Sequence, residues 1–170
     1  FDTQNTRAFT LNQTIKMGVG RIPGFDDAIA HSYTTSLDTG DFTKRAANTA
    51  GFNFYVPQPI VLVVKKNSSV LKNLRDWLKT HTTAGKISVK SMLLIDDEAD
   101  NASVNTNKAD KDPTRINGYI RDILGQFNRS AYVGYTATPF ANIFIPLDES
   151  DLFPRDFIIN LPAPNNYIGP

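Results

Sequence analysis

The residues with the plainest chemical promise form one short run, Asp96-Asp97-Glu98-Ala99-Asp100, directly behind the apolar stretch Met92-Leu93-Leu94-Ile95. A continuous aliphatic run suits a strand buried on both faces of a parallel sheet. In open α/β sheets, ligands bind beyond the carboxyl ends of the strands, so this strand delivers its acids to a ligand-binding edge. Nucleotide hydrolysis is the chemistry that needs acids there. A magnesium ion bridging the β- and γ-phosphates is held, usually through water, by a carboxylate that follows a buried strand. A second carboxylate orients and deprotonates the attacking water. Asp97 suits the metal-binding role and Glu98 the catalytic one. Ala99 is small and lets the turn pass close to neighbouring backbone. Asp100 is suited to link the turn to an adjoining segment by hydrogen bonds. Asp96 serves equally well to end the strand or to bind metal. The plainer alternative for the whole run is a solvated acidic loop.

A second segment stands one helix further on. Ala131-Tyr132-Val133-Gly134-Tyr135 has the composition of a strand and ends in Thr136-Ala137-Thr138-Pro139. Hydroxyls at Thr136 and Thr138 would reach Asp100 and let the nucleotide state alter the adjoining surface. Alone, such a segment is an ordinary strand-end turn; its spacing behind the acidic run gives it meaning. Lys65-Lys66-Asn67 follows the run Ile60-Val61-Leu62-Val63-Val64 at the same edge. These three are candidates to contact a nucleic-acid backbone, against the alternative of a solvated helix start.

The elements that must position these groups follow from periodicity. Ile60–Val64 predicts a strand. Asn67 and Ser68 offer caps to a helix whose stripe is Val70, Leu71, Leu74, Trp77 and Leu78. A polar loop is expected from Asn101 to Asp112. A helix then starts at Asp112-Pro113, with Ile116, Tyr119, Ile120, Ile123, Leu124 and Phe127 as its stripe. Phe157-Ile158-Ile159 is a fourth strand candidate. Strand, helix, strand, helix, strand implies an α/β fold: a parallel sheet with right-handed crossovers and helices on both faces. Residues 1–58 are rich in Thr, Asn, Gly and Asp and read as an irregular, helical N-terminal part. A turn-rich loop is expected over Gly18–Gly24, and weak helices over Phe25–Ser32 and Phe42–Ala50.

The pair Asp97-Glu98-Ala99-Asp100 and Thr136-Ala137-Thr138 resembles motifs II and III of superfamily-two helicases. A closer resemblance is to the Z-one domain family, bacterial endonucleases with a helicase-like core. It rests on residues 94–103, on Thr114-Arg115-Ile116-Asn117, on residues 132–142, on residues 152–158, and on Val63-Val64-Lys65-Lys66-Asn67. It covers most of residues 59–170. The resemblance implies a RecA-like core, a partial P-loop NTPase lobe, within a single truncated domain. It further implies ATP and Mg2+ as cofactors and ATP-dependent action on DNA in restriction or DNA defence. In that family motif II coordinates magnesium and activates water, and motif III couples hydrolysis to strand movement.

The rest of the sequence sets bounds. There is no Gly-x-x-x-x-Gly-Lys-Ser/Thr, the loop whose backbone N–H groups and lysine cradle phosphates. In the resembling family that loop lies upstream, so these 170 residues are expected not to hydrolyse ATP alone. No Pro-Asp followed by Glu-x-Lys marks a nuclease centre. His31 and His81 are too few for a histidine metal cluster and are expected to be structural or surface residues. Absence of cysteine excludes disulfides and fits a reducing cytoplasm. No apolar run reaches the roughly 18 residues of a membrane span. The net charge of +1 takes no side on nucleic acid, since a local basic groove needs no global excess. The start at Phe1 carries no initiator Met or signal pattern and reads as an internal boundary. Two other functions fit the same residues. One is a non-catalytic scaffold or binding module; the other is a metal-dependent phosphohydrolase using Asp96, Asp97 and Asp100 directly.

Overall fold

A computed structural model of the chain describes residues 14–16, 29–32, 34, 41–49, 51, 53–57, 59–104, 114–145 and 151–162. The expected loop Gly18–Gly24 and most of the loop between Asn101 and Asp112 lie outside these residues, as does Pro113.

The site is positioned by one strand–helix–strand unit. Strand β4 (Met92–Asp97) and strand β5 (Ser130–Tyr135) pair in parallel, in register from Met92 opposite Ser130 to Asp97 opposite Tyr135. Helix α3 (Arg115–Gly125) makes the crossover between them. Thr114 is its N-cap residue, and its inward stripe places Ile120 and Ile123 in the core. Helix α2 (Ser68–Lys79) packs beside it and buries Leu71, Leu74, Trp77 and Leu78. Its start is fixed by Asn67, whose extended backbone lets the side-chain oxygen accept from the Ser69 N–H at 2.8 Å. Trp77 is 1% exposed and its indole N–H donates to Asn48 Oδ1 at 2.9 Å, so the ring buries without stranding its one polar atom. Phe42 meets that ring edge-on at 5.2 Å from just before helix α1 (Lys44–Thr49), which lies inside the expected Phe42–Ala50 helix.

Several expectations are corrected. Met92–Ile95 is not buried on both faces. Met92, Leu94 and Asp96 turn inward, while Leu93 and Ile95 are 59% and 61% exposed. Among the described residues, α2 and α3 cover the same face of the β4–β5 pair, so helices on both faces are not seen. An aliphatic run fixes strand character; it says nothing about whether a second layer covers the far side. Ile60–Val64 pairs only over β3 (Ile60–Val61), and Val63 is exposed. Ile29–Ser32, expected as the end of a helix, is strand β2, antiparallel to β1 (Thr14–Lys16) and parallel to β3. Pairing on both edges outweighs the weak helical preference of so short a segment. Phe157–Ile159 is exposed and forms no strand, having no paired neighbour among the described residues. The chain is therefore an α/β protein with small parallel strand pairs and helices packed against them. No helix among the described residues is long and apolar enough to cross a membrane.

Candidate functional site

The parallel register carries β4 and β5 to the same edge, where both strands end together at Asp97 and Tyr135. The chain then turns tightly through Glu98-Ala99-Asp100. Glu98 N–H donates to Asp97 Oδ1 at 3.0 Å, and Asn101 N–H closes the turn on Glu98 O at 2.9 Å. Ala99 N–H donates to Tyr135 O at 2.9 Å, tying the turn to the end of β5. Ala99 is 1% exposed and lies over Gly134, where an added Cβ would stand 2.8 Å from the Ala99 methyl. The small residue at each position is what permits the two segments to approach so closely.

Two left-handed non-glycine residues mark the same turn, Glu98 at φ 52° and Ala102 at φ 63°. Each costs about 1–2 kcal/mol relative to ordinary backbone and persists because its surroundings over-determine it.

Asp100 meets the second motif. Thr136 Oγ1 donates to Asp100 Oδ1 at 2.6 Å and Thr138 Oγ1 to Oδ2 at 2.5 Å. Thr138 N–H in turn donates to Thr136 Oγ1 at 2.9 Å, which fixes the acceptor side of that hydroxyl and aims its proton at the acid. These hydroxyls, Thr136 first and Thr138 next, hold the Asp100 carboxyl below the ordinary carboxylate range.

Asp96 has a different fate. It is 5% exposed, with Lys66 Nζ at 3.0 Å from Oδ1 and the Tyr132 hydroxyl donating to Oδ2 at 2.8 Å. Burial, and then the negative charge of Asp96, push the Tyr132 phenol far above its usual range. Asp97 and Glu98 leave their side chains exposed at the edge. Glu98, Asp100, Asn101, Ala137 and Thr138 line an open cavity of about 490 Å3.

The chain matches no protein-family model, no curated protein and no solved structure.

What the site can do is thus decided by its own atoms. Asp97, Glu98, Asp100, Thr136 and Thr138 come together. The basic trio does not act as a unit. Asn67 spends its side-chain oxygen on the cap of α2, and Lys66 turns its ammonium onto Asp96 and the acidic turn. Lys65 is exposed. Among the described residues no three acidic or imidazole side chains gather at one point. A nucleotide-bound magnesium needs no such cage; one or two carboxylates, phosphate oxygens and waters complete its shell. The exposed oxygen donors of Asp97 and Glu98 suit that hard cation. His81 packs its ring on Trp77 with centroids 4.4 Å apart, a structural role. His31 lies in β2, and its side chain is outside the described residues.

Three residues to which sequence reasoning assigned no role in the site support it. Tyr132 anchors Asp96, Asn142 Nδ2 donates to Ala99 O at 3.2 Å, and Asn117 donates to Ser103 O at 2.8 Å and Asp151 Oδ1 at 2.9 Å. Asn117 and Asn142 lie in segments on which the family resemblance rests, and Tyr132 had a structural signal as well. Strand periodicity and a parallel register place it opposite Leu94, on the face where Asp96 also points.

Proposed function

We propose that this chain is part of the first, RecA-like lobe of an ATP-driven, helicase-like enzyme that processes DNA. The observation that carries it is the bridge from Asp100 to Thr136 and Thr138, which joins the ends of two adjacent parallel strands. That is where a nucleotide-driven protein needs a link between its hydrolytic acids and its output.

In this role Asp97 would hold magnesium, and Glu98 would orient and deprotonate the attacking water. Bound there, magnesium would supply charge neutralisation for the transferring phosphoryl group. Asp100 receives the hydroxyls of Thr136 and Thr138, so any shift of the acidic turn passes to the segment behind β5. ATP and Mg2+ are the cofactors of this reading, with the phosphate-binding loop outside these 170 residues. DNA as the partner, an endonuclease activity in restriction or DNA defence, and a cytoplasmic setting rest on the resemblance to the Z-one domain family and on the lack of cysteine. The same hydrogen bonds count against a phosphohydrolase using Asp96, Asp97 and Asp100 on one metal. Asp96 is engaged by Lys66 and Tyr132, and Asp100 by two threonines.

The test is ATP turnover by the full-length protein, with and without DNA. Glu98→Gln should lower kcat by roughly 100-fold or more, as loss of a general base does. Unchanged turnover in that variant would sink the proposal. The 170-residue chain by itself should show no turnover, and magnesium-dependent hydrolysis abolished by Glu98→Gln would contradict that expectation.

A further inference from the structure

Lys66 lies 30 residues before Asp96 in the chain, yet its ammonium ends inside the acidic turn. Nζ donates to Asp96 Oδ1 at 3.0 Å, to Asp97 O at 2.7 Å and to Glu98 O at 2.6 Å. An ammonium has three N–H donors, so all three are committed within this one turn. Asp96 is the anchor, itself held on its other oxygen by the Tyr132 hydroxyl. The two carbonyls belong to peptide planes joined at the Cα of Glu98. Their relative tilt is therefore set by φ and ψ of Glu98 itself. A single cation on which both carbonyls converge fixes those two angles, and Glu98 sits at φ 52°, a conformation that L residues seldom adopt.

We infer that Lys66 is a positioning residue for the Asp97–Glu98 pair. It holds Glu98 in its left-handed backbone, and so sets where both carboxylates point, without itself contacting substrate. This rests on the hydrolytic role proposed for Glu98. It also separates Lys66 from its neighbour Lys65, which makes no comparable approach to the turn. Charge alone does not suffice for the task. A guanidinium would still pair with Asp96, but its donors spread in a planar fork, whereas the ammonium is a point from which three bonds diverge.

The test compares Lys66→Arg and Lys66→Met, with Glu98→Gln as control. In the 170-residue chain, amide hydrogen exchange is followed at Asn101 and Ala99, whose N–H groups bond to Glu98 O and Tyr135 O, and at Leu94 inside β4. Lys66→Arg should keep the thermal midpoint and the Leu94 rate, yet speed exchange at Asn101 and Ala99 by about tenfold or more. In the full-length protein the same variant should lower kcat by about tenfold or more while KM for magnesium-ATP stays within about threefold. Lys66→Met should show the same local loosening with a lower thermal midpoint. Unchanged exchange at Asn101 and Ala99 in both variants would overturn the inference. So would wild-type kcat in Lys66→Arg when Glu98→Gln is inactive. Loosened exchange together with normal turnover in Glu98→Gln would instead remove the hydrolytic role on which the positioning rests.

Discussion

Gly134→Ala tests the closeness of the two motifs directly. Gly134 does not sit at a positive φ, so alanine brings no backbone penalty there. The cost is steric. The new Cβ would lie 2.8 Å from the Ala99 methyl, and ordinary contact begins at 3.4 Å. The turn must therefore lift from β5 by at least about 0.6 Å, the difference of those two distances. Ala99 has no rotamer with which to yield, so its backbone moves with its methyl. Three bonds span the gap being opened: Ala99 N–H to Tyr135 O at 2.9 Å, and Thr136 and Thr138 to Asp100 at 2.6 and 2.5 Å. Overpacking of this kind costs about 1–3 kcal/mol. For a chain of 170 residues that lowers the thermal midpoint by about 3–10 °C. The assay is thermal or urea unfolding of Gly134→Ala beside Gly134→Ala/Ala99→Gly. The double variant removes the opposing methyl and should recover much of the loss. If the single variant unfolds at the wild-type midpoint, Ala99 and Gly134 are not in contact and the shared edge is misplaced.

Thr136→Val and Thr138→Val together remove both donors to Asp100, so its pKa should return towards the ordinary 3.8, read by carboxyl NMR titration. Because the folded pKa lies below the unfolded one, the threonines contribute stability above about pH 4 that fades as pH falls through the folded value. The stability gap between wild type and variant should thus shrink on acidification, and a gap independent of pH would contradict this. Tyr132→Phe deletes the donor to the buried Asp96 and should cost about 1.5–3 kcal/mol at neutral pH, measured by urea unfolding. Because burial first, and then Asp96, raise the folded phenol above its ordinary 10.0, wild-type stability should decline as pH climbs above about 10, where the unfolded chain ionises and the folded one resists it. A Phe variant as stable as wild type would show that Asp96 does not depend on the phenol.

Local patterns located the acidic turn because its demands are local. An aliphatic run, a small residue and four acids describe a strand end wherever the strand sits, and Ala99 over Gly134 shows why the small residue is there. The stripe Leu71, Leu74, Trp77 and Leu78 was equally legible, since one helical face settles what is buried. Placing Thr136 and Thr138 beside Asp100 needed only one more step, the rule that strands joined by one crossover helix run parallel and end together. The misses share the opposite character. Ile29–Ser32 is a strand because of partners 13–17 residues before it and some 30 after it, at Ile60 and Val61, and its own residues prefer nothing strongly. Ile95 and Leu94 look alike in sequence, yet only one faces a helix, and which one depends on register against β5.

Lys65 and Lys66 are the sharpest case. They are the same residue type at adjacent positions, immediately before the helix cap at Asn67, and composition treats them as one basic patch. The chain bends at Lys66, where Asn67 N–H closes on Lys65 O at 2.8 Å, and the two side chains part there. Lys66 leaves on the face where β4 ends, where a buried Asp96 and two carbonyls await a cation, and its charge is consumed inside the fold. Lys65 is exposed. A count of positive charges near a strand end therefore overstates what such an edge offers to a phosphate backbone. The acids on the next strand decide how many of those charges face outward, and here one of the two lysines serves the turn.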